Sequence, residues 1–370
     1  MVGRATPRAR GRWLVLGVAV ALALLVVVGH LQQGDLASHR PVPVPVPSTT
    51  TARPLPVTAT IGLGASPASQ SATWSQLMVG EGRLWVVLDG VLVGVDPRRP
   101  IAVARIRLGQ PGDFVNLLAV GAGAVWVGTG AGVVRVDPAT NQVAAILPDD
   151  NPPWAAGAGS LWSVHCTSED GPCRLLRLDP RNLYVTARFP VPGLPAALAV
   201  GEGSAWLLDQ SGGWVWRVDL TSRRVVRVRL PSASSSADVP SQLVIGEGAV
   251  WVLTSVESPT RLGARVDVGL VRIDPHTNRV STTTPLADLD SGAHQVALAV
   301  GAGGVWVEGQ RLQDGLARAV IDRVDPVSGR LRGRIETGDP SPAGLAAGFG
   351  ALWLLRPGAD ALLRLEPAAM

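Results

Sequence analysis

Short apolar runs fill the chain from residue 57 onward, and Gly, Pro, Asp or Ser bounds each of them. Such runs, rich in Val, Leu and Trp, are typical of β-strands. In the segment 196–230, AALAV, SAWLLD, GWVWRVD and RVVRVRL follow one another, and Gly-Glu-Gly separates the first two. This order predicts four strands, called a to d here, with a tight turn between a and b. Inner strands that are apolar on both faces indicate a sheet packed between two neighbouring sheets.

Two sequence signals recur seven times and define a repeat. In the first, Gly-x-Gly and two further residues precede a Trp on strand b, at Trp85, Trp126, Trp162, Trp206, Trp251, Trp306 and Trp353. In the second, an acid usually followed by Pro ends strand c, at Asp96, Asp137, Asp179, Asp219, Asp274, Asp325 and Glu366. The Trp-to-Trp spacings of 41, 36, 44, 45, 55 and 47 residues match the period of four-stranded propeller blades.

The seventh repeat stops after strand c, and the missing strand is found at the other end of the repeats. The segment 57–64, VTATIGLG, is similar to the strand-d segments 102–109 (AVARIRLG) and 331–338 (LRGRIETG). Pairing of the first segment with the last blade would close the ring and leave no unpaired edge. The sequence therefore predicts an all-β, seven-bladed β-propeller of four-stranded antiparallel blades over residues 57–370. In this prediction the N-terminal strand 57–64 completes the last blade.

Residues 1–56 differ in composition from the repeats. Residues 1–12 carry four arginines, residues 13–30 are apolar and uncharged at neutral pH, and residues 31–56 include the Pro-rich run PVPVPVP. This pattern predicts a cytoplasmic basic tail, one transmembrane signal anchor and an extended linker, which would place the propeller outside the cytoplasm. A cleaved signal peptide would export the chain equally well. We favour the uncleaved anchor because no small-x-small cleavage motif follows the apolar run.

The charge of the chain argues against a nucleic-acid partner. Six of its 33 basic residues and one of its 29 acids precede residue 57, so the propeller carries 27 basic and 28 acidic residues. A nearly neutral domain lacks the extended basic surface that nucleic-acid binding needs. We expect a monomeric propeller whose partners are the membrane, through the N-terminal helix, and an extracytoplasmic protein or small molecule.

Several recurring side chains are expected to serve the fold. The seven Trp residues occupy one fixed place on strand b, which favours packing between blades over carbohydrate stacking. An Arg two residues before the acid recurs in six repeats and predicts an ion pair or support of a turn, at Arg135, Arg177, Arg217, Arg272, Arg323 and Arg364. Cys166 and Cys173 lie in one b–c connection, and in an oxidising compartment they predict a hairpin disulfide.

The b–c and d–a connections vary most in length and share one face of a propeller. Variable loops on a rigid scaffold commonly carry binding sites. The predicted ligand-binding residues around the channel mouth on this face are Trp74, Gln76, Asn116, Trp154, His165, Gln242, Gln295 and Arg311. The alternative, solvated loops without a ligand, has equal weight at this point.

The repeat pattern VGxGxVW followed by GVxR[IV]DPxTNxV resembles the streptogramin lyase (virginiamycin B lyase-like) propellers, with looser similarity to NHL and YVTN repeats. The resemblance covers residues 57–370 and implies the propeller fold. It also implies a carbon–oxygen lyase that opens a cyclic depsipeptide by elimination, with a His base and Mg²⁺. His294 and Glu308 would then be the catalytic candidates.

The membrane anchor departs from the soluble enzymes of that family. We therefore expect an extracytoplasmic binding or interaction module, a sensor or scaffold at the cell membrane, without a cofactor. A streptogramin-lyase-like enzyme that acts on a cyclic depsipeptide or another small molecule at the loop-rich face is the alternative.

Overall fold

A computed structural model describes the repeat region of the chain. The described residues are 56–64, 76–110, 113, 115–148, 152–168, 171–210, 213–231, 242–260, 263–286, 289, 296–313, 316–338, 344–356 and 360–367. The predicted anchor 13–30, and the predicted linker apart from Pro56, lie outside them, so both stay predictions. Within the described ranges, no helix is long and apolar enough to cross a membrane.

The described strands form seven four-stranded antiparallel sheets, which confirms the predicted seven-bladed β-propeller. The strands of blades 1 to 3 are β2 (Gln76–Gly80), β3 (Arg83–Leu88), β4 (Val91–Asp96), β5 (Ile101–Arg107), β6 (Val115–Gly121), β7 (Ala124–Thr129), β8 (Gly132–Asp137), β9 (Gln142–Leu147), β10 (Ala155–Gly157), β11 (Ser160–Cys166), β12 (Cys173–Leu178) and β13 (Val185–Val191). Those of blades 4 to 6 are β14 (Pro195–Gly201), β15 (Ser204–Asp209), β16 (Trp214–Asp219), β17 (Val225–Arg229), β18 (Gln242–Gly246), β19 (Ala249–Thr260), β20 (Gly263–Asp274), β21 (Arg279–Leu286), β22 (Ala297–Gly301), β23 (Gly304–Gln313), β24 (Leu316–Val324) and β25 (Leu331–Glu336). Those of blade 7 are β26 (Leu345–Gly348), β27 (Ala351–Arg356), β28 (Ala361–Leu365) and β1 (Val57–Gly62).

The first strands of the seven blades contact one another in a closed circle, in the order β2, β6, β10, β14, β18, β22, β26 and back to β2. In blade 7 the outer strand is β1, which pairs antiparallel with β28, with Ile61 opposite Leu362 and Gly62 opposite Ala361. Two backbone hydrogen bonds extend this pairing, from the amide of Leu63 to the carbonyl of Asp360 at 2.9 Å and from the amide of Glu366 to the carbonyl of Pro56 at 3.1 Å.

The repeated Trp residues pack between blades, as the sequence predicts. All seven are at most 2% exposed. Trp251 of blade 5, for example, packs with Val305 and Val307 of blade 6. In six blades the indole Nε1 donates to the carbonyl of the first Gly of the a–b turn at 3.0–3.3 Å. The exception is Trp206, whose buried Nε1 has no hydrogen-bond partner among the described residues.

Three of the repeated Arg residues, Arg217, Arg272 and Arg323, contact the segment that follows strand c in the next blade. Each lies directly across from the Trp of its own blade, as Arg217 does from Trp206 with the guanidinium 5.4 Å from the ring centroid. Arg217 also donates from Nη1 to the side-chain oxygen of Asn278 at 2.8 Å. Arg323 likewise reaches the carbonyl of Pro367 at 3.1 Å. Of the two predicted roles, support of a turn is therefore the one these contacts show, and it joins consecutive blades.

The acids that end strand c cap their own c–d turns. The Oδ1 atom of Asp325 accepts from the amide of Ser328 at 2.7 Å, and that of Asp274 accepts from the amide of His276 at 2.8 Å. Backbone hydrogen bonds are the largest cause that lowers the pKa of five such carboxyls, at Asp96, Asp137, Asp219, Asp274 and Asp325. The ionised acids therefore hold the turns.

We expect acid to destabilise the propeller through these turns. Because their pKa values are lowered in the folded state, the stabilisation is complete above the ordinary carboxyl pKa of about 4 and is lost as the pH falls below it. Urea unfolding midpoints should therefore fall from about pH 5 towards about pH 2. The variant Asp325→Asn keeps an acceptor for Ser328 and should show a shallower decline. Exposed Glu202 lies on an a–b turn, and Glu202→Gln should leave the decline unchanged. An Asp325→Asn profile identical to that of the parent protein would contradict this assignment.

Candidate binding site on the loop face

The two faces of the propeller differ in how uniform their connections are. On one, the turn face, strand a meets strand b in seven Gly-x-Gly turns whose central residues all have φ near +50°. Because all seven turns share one geometry, we assign them a structural role in the repeat. The other face carries the b–c and d–a connections and is called the loop face below.

Among the described residues, two long β-hairpins extend from the loop face. The b strands of other blades have six or seven residues, such as Ser204–Asp209, but β19 and β20 have 12 each and stay paired to Thr260 opposite Gly263. In the next blade β23 and β24 stay paired to Gln313 opposite Leu316. We call residues 255–268 the blade 5 arm and residues 310–319 the blade 6 arm. Regular pairing throughout these extensions makes them ordered projections from neighbouring blades.

Gln242, a predicted ligand-binding residue, joins blade 5 to blade 6. Its amide nitrogen donates to the carbonyl of Val296, and its amide oxygen accepts from the backbone amide of Leu298 at 2.9 Å. A single side chain therefore completes backbone hydrogen bonds of the neighbouring first strand. In this geometry Gln242 links, at the loop face, the two blades from which the arms extend.

Glu308, a predicted catalytic residue, lies between blades 6 and 7. Its side chain is 1% exposed, and Oε2 accepts from the backbone amide of Gly344 at 3.1 Å. Farther out in blade 6, Asp322 is also fully buried and pairs with Arg334 through two bonds of 2.5 and 2.7 Å. Buried carboxylates need such partners because burial disfavours an isolated charge. Glu308 therefore joins blade 6 to blade 7, and the Asp322–Arg334 pair joins strands c and d within blade 6.

Blade 3 brings Trp154 and His165 to one end of its sheet. Trp154 is 40% exposed, and its amide donates to the carbonyl of Trp162 at 2.7 Å. His165 is exposed next to Cys166, which forms a disulfide with Cys173 on the paired strand. Successive residues of a strand point to opposite faces, so His165 and the disulfide lie on opposite sides of this hairpin. The Cys166 side packs with Trp162 and Phe189 on the blade 4 side.

The remaining predicted site residues are placed as follows. Arg311 is half-buried on the blade 6 arm, and its buried Nε has no hydrogen-bond partner among the described residues. Asn116 is half-buried opposite Gly128, and Gln76 starts β2 opposite Val87. Trp74, His294 and Gln295 lie outside the described residues. The structure thus places Trp154 and His165 in blade 3, Gln242 in blade 5, and Glu308 and Arg311 in blade 6.

The described residues offer little for a magnesium ion. No group of three or more His, Cys, Asp or Glu side chains that could hold a metal occurs within them. The carboxylate of Glu308 is buried and engaged by Gly344. Among these residues no cluster of carboxylates, which Mg²⁺ prefers as side-chain ligands, is assembled around one point.

Sequence reasoning missed Arg174 and Arg188, which line a cavity together with His165. The available signal was the disulfide itself. A bond between Cys166 and Cys173 sets the register of the hairpin and thereby places His165 opposite Arg174. From there, alternation along strands c and d brings Arg188 to the same face.

Comparisons with known proteins show the β-propeller fold but do not assign the chain to a family. No protein-family model and no curated protein match the chain. Among solved structures it is similar to hydrazine synthase of Kuenenia stuttgartiensis, with 13% identity, a TM-score of 0.57, and coverage of 88% of this chain and 99% of that one. The Cps50 (Swd1) β-propeller domain of Myceliophteria thermophila has 12% identity, a TM-score of 0.55, and coverage of 84% and 99%.

A third similar structure is the extracellular domain of a protein described as a one component system from B. thetaiotaomicron. It has 14% identity and a TM-score of 0.54, and the match covers 85% of this chain and 43% of that one. At these identities the likeness extends to the β-propeller fold alone.

Proposed function

We propose that this chain is a membrane-anchored, extracytoplasmic β-propeller that acts as a binding module, a sensor or scaffold, and contacts its partner with the loop face. The observation that carries the proposal is the presence of two long β-hairpin arms, on blades 5 and 6, which among the described residues occur on this face alone. An ordered projection presents side chains to a partner at a small entropic cost. The exposed Leu316, 61% accessible at the start of β24, gives the blade 6 arm an apolar contact point.

Export is proposed from residues 1–30, whose arginines and apolar run have the character of a signal anchor. The Cys166–Cys173 disulfide supports it, because such bonds persist in oxidising compartments outside the cytoplasm. The same fold serves as an extracellular domain in the B. thetaiotaomicron protein. This is a fold-level analogy, compatible with an external sensor.

The streptogramin-lyase-like activity is the second candidate, and the site geometry lends it less support. It would need His294 as base and Glu308 beside it. Instead, the buried carboxylate of Glu308 accepts a hydrogen bond from the backbone amide of Gly344, between blades 6 and 7. A cyclic depsipeptide incubated with the purified chain and Mg²⁺ should therefore remain intact by mass spectrometry. Ring opening that His294→Ala abolishes would establish the enzyme and overturn the binding-module proposal.

A photo-reactive amino acid at Leu316 in the full-length chain should cross-link a discrete partner in intact cells. The matched control is Val327, which is in the same blade, 84% exposed and on the turn face. It should give no such product. Cys166 and Cys173 should resist alkylation in cells until a reductant is added. Equal cross-linking from both positions would contradict the loop-face contact, and thiols that react without reductant would contradict export.

A further inference from the structure

Blade 3 contains a cavity of about 440 Å³ away from the arms of blades 5 and 6. It is lined by residues of strands b, c and d and by one residue that follows strand b: His165, Thr167, Arg174, Leu176, Val185 and Arg188. Leu176 and Val185 also pack with Trp126 of blade 2. The cavity therefore lies on the side of blade 3 that faces blade 2, beside the outer strands and away from the ring of first strands.

The register of blade 3 places the polar residues of the cavity on one face of the sheet. His165 lies directly opposite Arg174, and Leu176 lies directly opposite Arg188. Arg174 and Leu176 are two residues apart on one strand, so their side chains share a face. Directly opposite side chains have Cβ atoms about 5 Å apart and diagonal ones about 7–8 Å. Two guanidinium groups and an imidazole can therefore converge on one small ligand.

Among the described residues, the lining is basic and contains no acid. Arg174 and Arg188 are exposed, and within the described part of the chain no ion pair joins either to a carboxylate. Arg174 and Arg188 lie diagonally on neighbouring strands, and two like charges this close repel each other. An anion between Arg174 and Arg188 would relieve this repulsion and form charge-assisted hydrogen bonds, which guanidinium groups make with carboxylate and phosphate in a bidentate manner.

The wall of the cavity is apolar. Leu176 is 4% exposed, and Val185 is half-buried beside it. A volume of about 440 Å³ falls within the range of small-molecule sites. A ligand that fits both the basic residues and the apolar wall of the cavity combines a charged oxygen group with a compact apolar body.

We propose that the blade 3 cavity binds a small organic anion, with its carboxylate or phosphate between Arg174 and Arg188 and its apolar body against Leu176 and Val185. His165 on strand b and the hydroxyl of Thr167, just after that strand, contact the same charged group. The Cys166–Cys173 disulfide flanks His165 and Arg174 and fixes the hairpin that carries both, so the site is preorganised. This site is independent of the partner contact proposed for the arms.

Calorimetric titration of the detergent-solubilised full-length chain tests the proposal with four probes: phenyl phosphate, benzoate, inorganic phosphate and uncharged benzyl alcohol. Phenyl phosphate or benzoate should bind, and the difference between them identifies the preferred charged group. Benzyl alcohol should not bind. Affinity should fall with added salt, because screening weakens exposed charge contacts. Failure of both organic anions to bind at about 10 mM, well above the Kd range of small-molecule sites, would overturn the proposal.

Arg174→Ala and Arg188→Ala should each weaken binding at least about tenfold, because each removes a charge-assisted contact. The control Arg107→Ala removes an exposed arginine from the outer strand of blade 1, and it should bind like the parent protein. Arg174→Gln removes the charge but keeps part of the side-chain length, and it should also weaken binding. Circular dichroism confirms that each variant is folded. Unchanged affinity in both alanine variants, or equal affinity for inorganic phosphate and phenyl phosphate, would contradict the proposed geometry.

Discussion

Replacing Trp251 with alanine is expected to lower the free energy of unfolding by about 3–5 kcal/mol. The indole is fully buried and packs with Leu298 and Val305 of the next blade, so its removal leaves a cavity at an interface between blades. Its Nε1 donates to the carbonyl of Gly246 at 3.2 Å. The guanidinium of Arg272 lies 5.9 Å from its ring centroid. All three contacts are lost together.

Guanidinium denaturation of the purified protein measures this effect, and Trp214→Ala is the matched control. Trp214 is half-buried on strand c of blade 4, where the guanidinium of Arg227 lies 4.0 Å from its ring centroid. Its loss should cost about 1 kcal/mol, the size of an exposed cation–π contact. Equal losses in the two variants would contradict the view that Trp residues on strand b hold the blades together.

The blade count could be predicted because the repeat signals are local. A Gly-x-Gly turn followed by Trp, and an acid that caps its own turn, each lie within a few residues of sequence. Each signal also occurs once in every blade, so the number of strand-b Trp residues equals the number of sheets. The structure places all seven Trp residues where the pattern predicts, with exposure of at most 2%.

The partners of the repeated arginines could be predicted only in part. Spacing along strand c places each Arg on the same face as the acid two residues later. The observed contacts of Arg217 instead reach Asn278 and Pro275 of the next blade, about 60 residues away in sequence. Both contacts depend on how two blades pack, and a periodicity within one strand carries no information about that packing.

The candidate site was less predictable for the same reason. The sequence pattern placed Gln242 near the start of strand a and Glu308 in a b–c loop, and both positions predicted a place near the channel mouth. Their observed partners, the backbones at Leu298 and Gly344, belong to the following blades. His165 differs, because its neighbours Arg174 and Arg188 lie in its own blade and follow from strand register. Sites within a blade are therefore the more accessible to sequence reasoning.

Replacing Ile61 with aspartate is expected to lower the free energy of unfolding by about 3–5 kcal/mol, from lost apolar burial and a buried charge. Ile61 is 4% exposed on β1 and packs in one cluster with Leu84 of blade 1 and Leu362 of blade 7. Strand β1 thus contacts both blades at the point where the ring of sheets meets. Loss of this contact would release β28 as an open edge that can pair with another chain.

Thr60→Asp is the matched control, because Thr60 is exposed on the same strand one residue away. It should retain both stability and monodispersity, since its new charge faces solvent. Ile61→Asp should unfold at lower denaturant and elute partly as oligomers in size-exclusion chromatography. If the two variants behave alike, pairing of β1 with β28 contributes little, and the first and last blades must be held by contacts of their first strands, β2 and β26. A large difference between them would assign closure of the propeller to a strand about 300 residues from its partner in sequence.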